Sequence, residues 1–282
     1  MDSMRLERPI VVGVEDKQLA ALQYALSEAQ ALGCGVRVVH AYSLSTVGAA
    51  MLSGNVMDAA AEAAYEVVDA ARDFISAQDV DVPVEYAVEF GLPTQVLAAE
   101  SLSARMLVLG PENSEWYERI LAGEVGRWLS SHAACPVIIV PDHWSTEIAR
   151  RGGIVVTVDG ATDAHGPLTF AFQTADRTDQ ELHALHVVPP ATSLRDEEDH
   201  RLNVAEVLSG WAEEFPTVTV FQSLVFGQTD EACIGSTRLA NLVVVGRPQG
   251  ARLPFSLSRP VAVSVIKEAN CPVAVIPSTY DG

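Results

Sequence analysis

Basic residues are scarce in this chain. Eighteen Lys and Arg stand against 37 Asp and Glu, a formal net charge of −19. A surface of that sign repels phosphate backbones and anionic lipid, so neither nucleic acid nor a membrane is an expected partner; solubility is the plain meaning of the charge. Long apolar runs are also missing, and none reaches the ~18–20 residues of a membrane-crossing helix. The opening segment Met1-Asp-Ser-Met-Arg-Leu-Glu-Arg-Pro9 is charged and leads into a predicted strand without the apolar stretch of a secretory signal. The expected location is the cytoplasm. Cysteine is sparse: Cys34, Cys135, Cys233 and Cys271 form no CxxC pair, and no histidine cluster has metal-ligand spacing. No metal site is expected. A G-x-S-x-G elbow, a Walker lysine motif and an H-E-x-x-H helix are all absent, so no catalytic constellation stands out.

What is present is a repeat. Arg105-Met-Leu-Val-Leu-Gly110 is followed by Cys135-Pro-Val-Ile-Ile-Val-Pro141, and Leu239-Ala-Asn-Leu-Val-Val-Val-Gly246 by Cys271-Pro-Val-Ala-Val-Ile-Pro277. Gly110 to Gly246 and Cys135 to Cys271 are both steps of 136 residues, and so is Gly91 to Gly227. Nearer the front, Ile10-Val-Val-Gly-Val-Glu15 parallels Ile154-Val-Val-Thr-Val-Asp159 at an offset of 144, and Val36-Arg-Val-Val-His40 parallels Leu182-His-Ala-Leu-His186 at 146. The second copy thus carries a net deletion of about ten residues between His186 and Gly227. A period this long fits a duplicated domain, here 1–146 and 147–282, and not a solenoid unit.

Within each copy short continuous apolar runs alternate with amphipathic stretches. In the first, Pro9–Val14, Val36–Ala41, Met106–Leu109 and Pro136–Val140 read as buried strands, and the alternating Val82–Glu89 as a strand nearer an edge. Helices are predicted over Gln18–Leu32, with Leu19, Leu22 and Leu26 on one face and Gly33 as the stop, over Val56–Ala77, Thr94–Ser103 and Gly123–His132. Continuous Val/Ile strands joined by helices mean a parallel sheet covered on both faces. The fold expected is α/β, two tandem open five-stranded parallel sheets. Cys135 and Cys271, each just before a buried strand, read as small core hydrophobes. Arg195-Asp-Glu-Glu-Asp-His-Arg201 reads as the solvated start of a helix.

The strand–Gly loop, the Gly123 helix, the Cys-Pro-Val-Ile-Ile-Val strand, and first and second strands ending near Val-Asp-Gly and Val-Val-His resemble the universal stress protein family, and they recur in both halves. The resemblance implies the strand order 3-2-1-4-5 in each copy. It also implies an internal pseudo-dimer in which the last strands, Pro136–Val140 and Pro272–Ile276, pair with one another; a homodimer of the whole chain is a further expectation. An apolar edge strand is a liability until it is paired. Many members bind ATP in the crevice at the carboxyl ends of the strands. An Asp after the first strand and the backbone after the second hold the adenine, and a G-x2-G-x9-G-[ST]-V-[ST] loop cradles the phosphates.

Both copies depart from that pattern. The first keeps Gly110 and Gly123, but Asn113 replaces the middle glycine and Glu124-Val125-Gly126 replace the hydroxyl residues; Glu15 stands for the Asp, and Ala41 follows His40. A carboxylate beside a phosphate costs on the order of a kcal/mol or more, so a triphosphate is not expected there. The second copy retains Asp159-Gly160 and Val187 at the adenine end and Gly246 at the loop start. Gln249 and Gly250 follow, and Arg259-Pro260-Val261-Ala262 end the motif; Pro260 offers no N–H. Arg247, Arg252 and Arg259 supply charge in place of amides. The better candidate for an adenine nucleotide (ATP, ADP or AMP) is therefore the second copy, through Asp159, Gly160, Val187, Gly246, Gly250 and Arg259. Glu15, Ala41, Gly110 and Gly123 form the degenerate site of the first. His40 and His186 read as satisfied core or rim histidines and His165 as solvated, while Trp116 and Tyr117 either cover or fill the first crevice. The resulting expectation is a non-enzymatic stress-response module, with slow ATP hydrolysis a weaker reading. The alternative is a scaffold that binds no nucleotide and acts through protein contacts.

Overall fold

The computed structural model describes residues 8–15, 19–43, 54–111, 124–146, 152–158, 164–188, 194–247 and 261–282. The chain divides into two compact units, Met1–Thr146 and Glu147–Gly282.

In the first unit the strands are β1 (Ile10–Gly13), β2 (Val36–Tyr42), β3 (Val84–Phe90), β4 (Met106–Leu109) and β5 (Val137–Ile139). Between them lie α1 (Leu19–Leu32), α2 (Gly54–Ser76), α3 (Pro93–Ser101) and α4 (Glu124–His132). The strands order as β3-β2-β1-β4-β5. All the pairings are parallel, with Ile10 opposite Val36 on one side and Met106 on the other. β1 and β4 are buried at every position, which is why they read as unbroken apolar runs. α1 is held by Leu22, Ala25, Leu26 and Ala29, all buried. Leu19, assigned to that face by its spacing, is exposed instead: it is the first helical residue and stands at the helix end.

The second unit has β6 (Ile154–Thr157), β7 (Leu182–Val188), β8 (Val220–Phe226), β9 (Leu242–Gly246) and β10 (Val273–Ile276), with α5 (His165–Thr178), α6 (Leu194–Glu214), α7 (Thr229–Ser236) and α8 (Val261–Glu268). Its order, β10-β9-β6-β7-β8, is the first unit's order read in the other direction. Ile154 pairs with Leu182 and Leu242, just as Ile10 pairs with Val36 and Met106. One core cluster packs Val155, Leu185, Val243, Val265, Val273 and Val275 around Cys233 and Cys271. Burial pushes both thiols up to about 12, so they behave as core hydrophobes.

The duplication extends to backbone angles. Gly91 and Gly227 follow β3 and β8 with φ of 156° and 153°. Each amide reaches across the sheet, Gly91 N–H to the Tyr42 carbonyl and Gly227 N–H to that of Val188, at 2.9 and 3.1 Å. A side chain is rarely tolerated at such φ, so glycine stands at both turns.

Candidate functional site

The first unit contains a cavity of about 340 Å³ at the carboxyl ends of β1, β2 and β4. Glu15 borders it after β1, Ala41–Ser43 at the end of β2, and Gly110 after β4. Helix α2 supplies one wall through Ala60, Ala63, Ala64 and Val67, and Val125 and Gly126 from the first turn of α4 close another side. The wall is wide because its helix is alanine-rich, a sequence that forms helix readily yet fills little space. Of the first-copy candidates, Glu15, Ala41 and Gly110 therefore line a single cavity.

His40 also lines it. Its Nδ1–H donates to the Val14 carbonyl at 2.7 Å, since a carbonyl can only accept. Burial pulls its pKa below the ordinary 6.5, opposed by that hydrogen bond. In the neutral ring Nε2 is then an acceptor.

In the second unit His186 repeats the contact, Nδ1 to the Val158 carbonyl at 2.6 Å, and is only 3% exposed. Here a further ring is present: His200, from α6, sets its Nδ1 3.0 Å from His186 Nε2. The 136-residue step places His200 at the position of Ala64, and the packing agrees, for Val68 and Val204, four residues on, are both 2% exposed. By the same step Ala60, Ala63 and Val67 become Asp196, Asp199 and Asn203. Where the first copy has a methyl group on the cavity wall, the second has an imidazole hydrogen-bonded to the strand-end histidine.

Of the second-copy candidates, Val187 is half-buried near the end of β7 and Gly246 is the exposed last residue of β9. Asp159, Gly160, Gly250 and Arg259 lie outside the described residues, as do Gly123, Asn113, Trp116, Tyr117, Gln249, Arg252 and Pro260. His165 opens α5 with an exposed side chain, its ring centroid 5.3 Å from that of Trp211. Among the described residues no group of three or more His, Cys, Asp or Glu could hold a metal ion. None of the described helices is long and apolar enough to cross a membrane.

The sequence profile of the universal stress protein family matches this chain twice, over residues 7–141 and 152–277. The chain belongs to that family. A universal stress protein of Mycolicibacterium smegmatis is 26% identical over 285 residues, covering 96% of this chain and 97% of its own. One from Mycobacterium tuberculosis strain H37Rv is 27% identical over 288 residues, covering 94% and 95%. The crystal structure of a universal stress protein from Archaeoglobus fulgidus superposes with a TM-score of 0.71 at 19% identity, covering 95% of this chain and 96% of that one. The two curated relatives thus align with both units of this chain along nearly their whole length.

The residues by which the two universal stress protein units differ beside the strand-end histidine are not motif residues. The signal lay in the long helix, where carrying the 136-residue step through Ala60–Val67 sets Ala64 against His200.

Proposed function

We propose that the first unit is the ligand-binding half of this tandem universal stress protein, and that it holds an adenine nucleoside or a nucleotide with a short phosphate tail. The open crevice carries this reading. It lies at the carboxyl ends of parallel strands, where open α/β sheets take ligands. Its alanine wall leaves width for a planar ring, backbone from Ala41 to Ser43 borders the slot, and Glu15 offers a carboxylate to ribose hydroxyls or an exocyclic amine. The residues after Gly123 are Glu124, Val125 and Gly126, without the hydroxyls that complete the family's phosphate loop, which favours a short tail over a triphosphate. In this reading the second crevice, with His200 in it, does not bind, although the sequence alone favoured Asp159 and its neighbours. No catalytic role is assigned. A cytoplasmic location is supported by family membership and by four free thiols. The pairing of the last strands remains part of the reading, supported by the apolar sequences Val137–Ile139 and Val273–Ile276.

Thermal unfolding with adenosine, AMP, ADP and ATP tests this on the full chain. A ligand selective for the folded state stabilises by about 2.7 kcal/mol at a hundredfold excess over its Kd. Adenosine or AMP should raise the melting temperature, and the nucleotide should remain intact on long incubation. Ala64→His, which imports the second unit's residue, should remove the shift, while Asp159→Ala should leave it. A shift lost in Asp159→Ala and kept in Ala64→His puts the site in the second unit. No shift with any of the four leaves the scaffold reading in its place.

A further inference from the structure

The two units treat the same sheet edge differently. β3 and β8 stand at corresponding ends of their sheets, 136 residues apart position for position. On β3 the edge carries Glu85 and Glu89. Arg37 of β2 lies 3.4 Å from the Glu85 carboxylate and 3.9 Å from that of Glu89, and it also holds Glu100 at 3.0 Å. Charged side chains on an edge are a standard guard against pairing with another chain. On β8 the positions of Glu85 and Glu89 are Phe221 and Val225. Both are exposed, at 44% and 37%, and Phe226 beside them is 47% exposed. The Arg37 position on β7 is His183, whose ring stacks on Phe221 with centroids 5.1 Å apart. The guard present in one copy is missing from the other.

We infer that β8 is an association edge and that its partner is β8 of a second copy of this chain, paired antiparallel about a two-fold axis at Ser223. Charge selects the occupant: the chain is strongly acidic, yet residues 216–229 contain no charged side chain, so two like-charged copies meet there with least repulsion. Register follows from the backbone. Thr219 gives its carbonyl to Leu182 of β7, and Gly227 gives its N–H to Val188. In a parallel ladder, alternate residues turn both N–H and C=O to the same neighbour, so the odd residues of β8 face β7. Val220, Gln222, Leu224 and Phe226 are left with both groups pointing outward. With Ser223 on the axis, Val220 opposes the partner's Phe226 and Gln222 the partner's Leu224, and each outward N–H meets an outward C=O. The side chains agree with the backbone. Phe221 comes opposite the partner's Val225 and Val220 opposite its Phe226, giving aromatic–β-branched cross-strand pairs. The equivalent pairing of β3 would set Glu85 against Glu89, which cross-strand repulsion forbids.

Light scattering of the full chain over a range of concentrations, together with a cross-link, tests this. The wild type should shift from monomer to dimer with rising concentration. Phe221→Glu/Val225→Glu, which restores the first unit's residues, should weaken that dimer by about tenfold or more through like charges directly opposed, without lowering the melting temperature of dilute protein. Gln222→Pro removes an N–H that the sheet of one chain does not use, and should act alike. Ser223→Cys in a Cys34→Ser background should form a disulfide dimer on mild oxidation, because the axial residues are a non-hydrogen-bonded pair about 4.5 Å apart at Cα. Gln222→Cys, which faces Leu224 of the partner, should not. A chain that stays monomeric at every concentration, or a dimer that keeps its affinity in both edge variants, overturns the proposal; cross-linking by Gln222→Cys in place of Ser223→Cys overturns the register.

Discussion

The buried Ser101 hydroxyl, at the end of α3, accepts the backbone N–H of Ala134 at 2.9 Å while donating to the Ala98 carbonyl at 2.6 Å. One period later Thr237 does the same, taking the N–H of Asn270 at 3.1 Å and giving its proton to the Ile234 carbonyl at 2.7 Å. Each hydroxyl ties the end of one helix to the turn that launches the last strand of its sheet. Position and bonding partners survived duplication although the residue changed, because either side chain satisfies the same N–H.

The hydroxyl-bearing residues are buried but Ala134 and Asn270 are exposed, so water can replace the lost acceptor and the loss is that of one hydrogen bond, about 0.5–1.5 kcal/mol. Ser101→Ala and Thr237→Ala should each lower unfolding free energy by that amount, read as a reduced denaturant midpoint. Thr237→Ser keeps the acceptor and should cost under about 1 kcal/mol. Equal losses in Thr237→Ser and Thr237→Ala would mean that the methyl group, and not the hydroxyl, holds the turn.

The architecture was legible because its causes are local and periodic. Apolar runs such as Ile10-Val-Val and Leu107-Val-Leu, buried on both faces, have no other home than the middle of a parallel sheet. The repeat, at a step of 144 and 146 residues in the first two strands and 136 after the deletion, carried the topology of one half to the other, and Cys135 and Cys271 fell into the core as expected. The site was less legible. The family motif consists of turn residues at the strand ends, here Glu15 and Asp159. The first unit's crevice is walled from a different element, by the small side chains that α2 sets toward the strand ends. A helix wall has no motif: Ala64 reads as a good helix former, and His200 reads as part of a charge run. Their contrast appears only when the copies are aligned through the deletion.

His40 provides a pH test of the first unit. Burial lowers its pKa from 6.5, so the unfolded chain takes up a proton at that residue before the folded chain does. Folding stability depends on pH through the difference in bound protons. The contribution of His40 is complete above pH 6.5 and is lost as pH falls through the window below it. The slope from one residue is at most about 1.4 kcal/mol per pH unit. His40→Gln retains a donor for the Val14 carbonyl and removes the titration. Denaturation midpoints from pH 7.5 down should fall less steeply in this variant than in the wild type. Parallel curves would place the acid sensitivity elsewhere.

His200 has a proton requirement that can be checked directly. His186 spends its Nδ1–H on the Val158 carbonyl, so in the neutral ring Nε2 carries only a lone pair. The atom facing it, His200 Nδ1, must then bear the hydrogen. Two neighbouring imidazoles are thereby fixed as Nδ1–H tautomers. Nitrogen-15 NMR at pH 8 should show both rings in that form. His200→Ala leaves a buried acceptor without its donor and should cost about 1–3 kcal/mol, whereas His200→Gln, which still offers an N–H, should recover part of the loss. If His200→Ala melts with the wild type and His186 keeps its tautomer and exchange rate, the second ring does not hold the first, and its contrast with Ala64 has no energetic meaning.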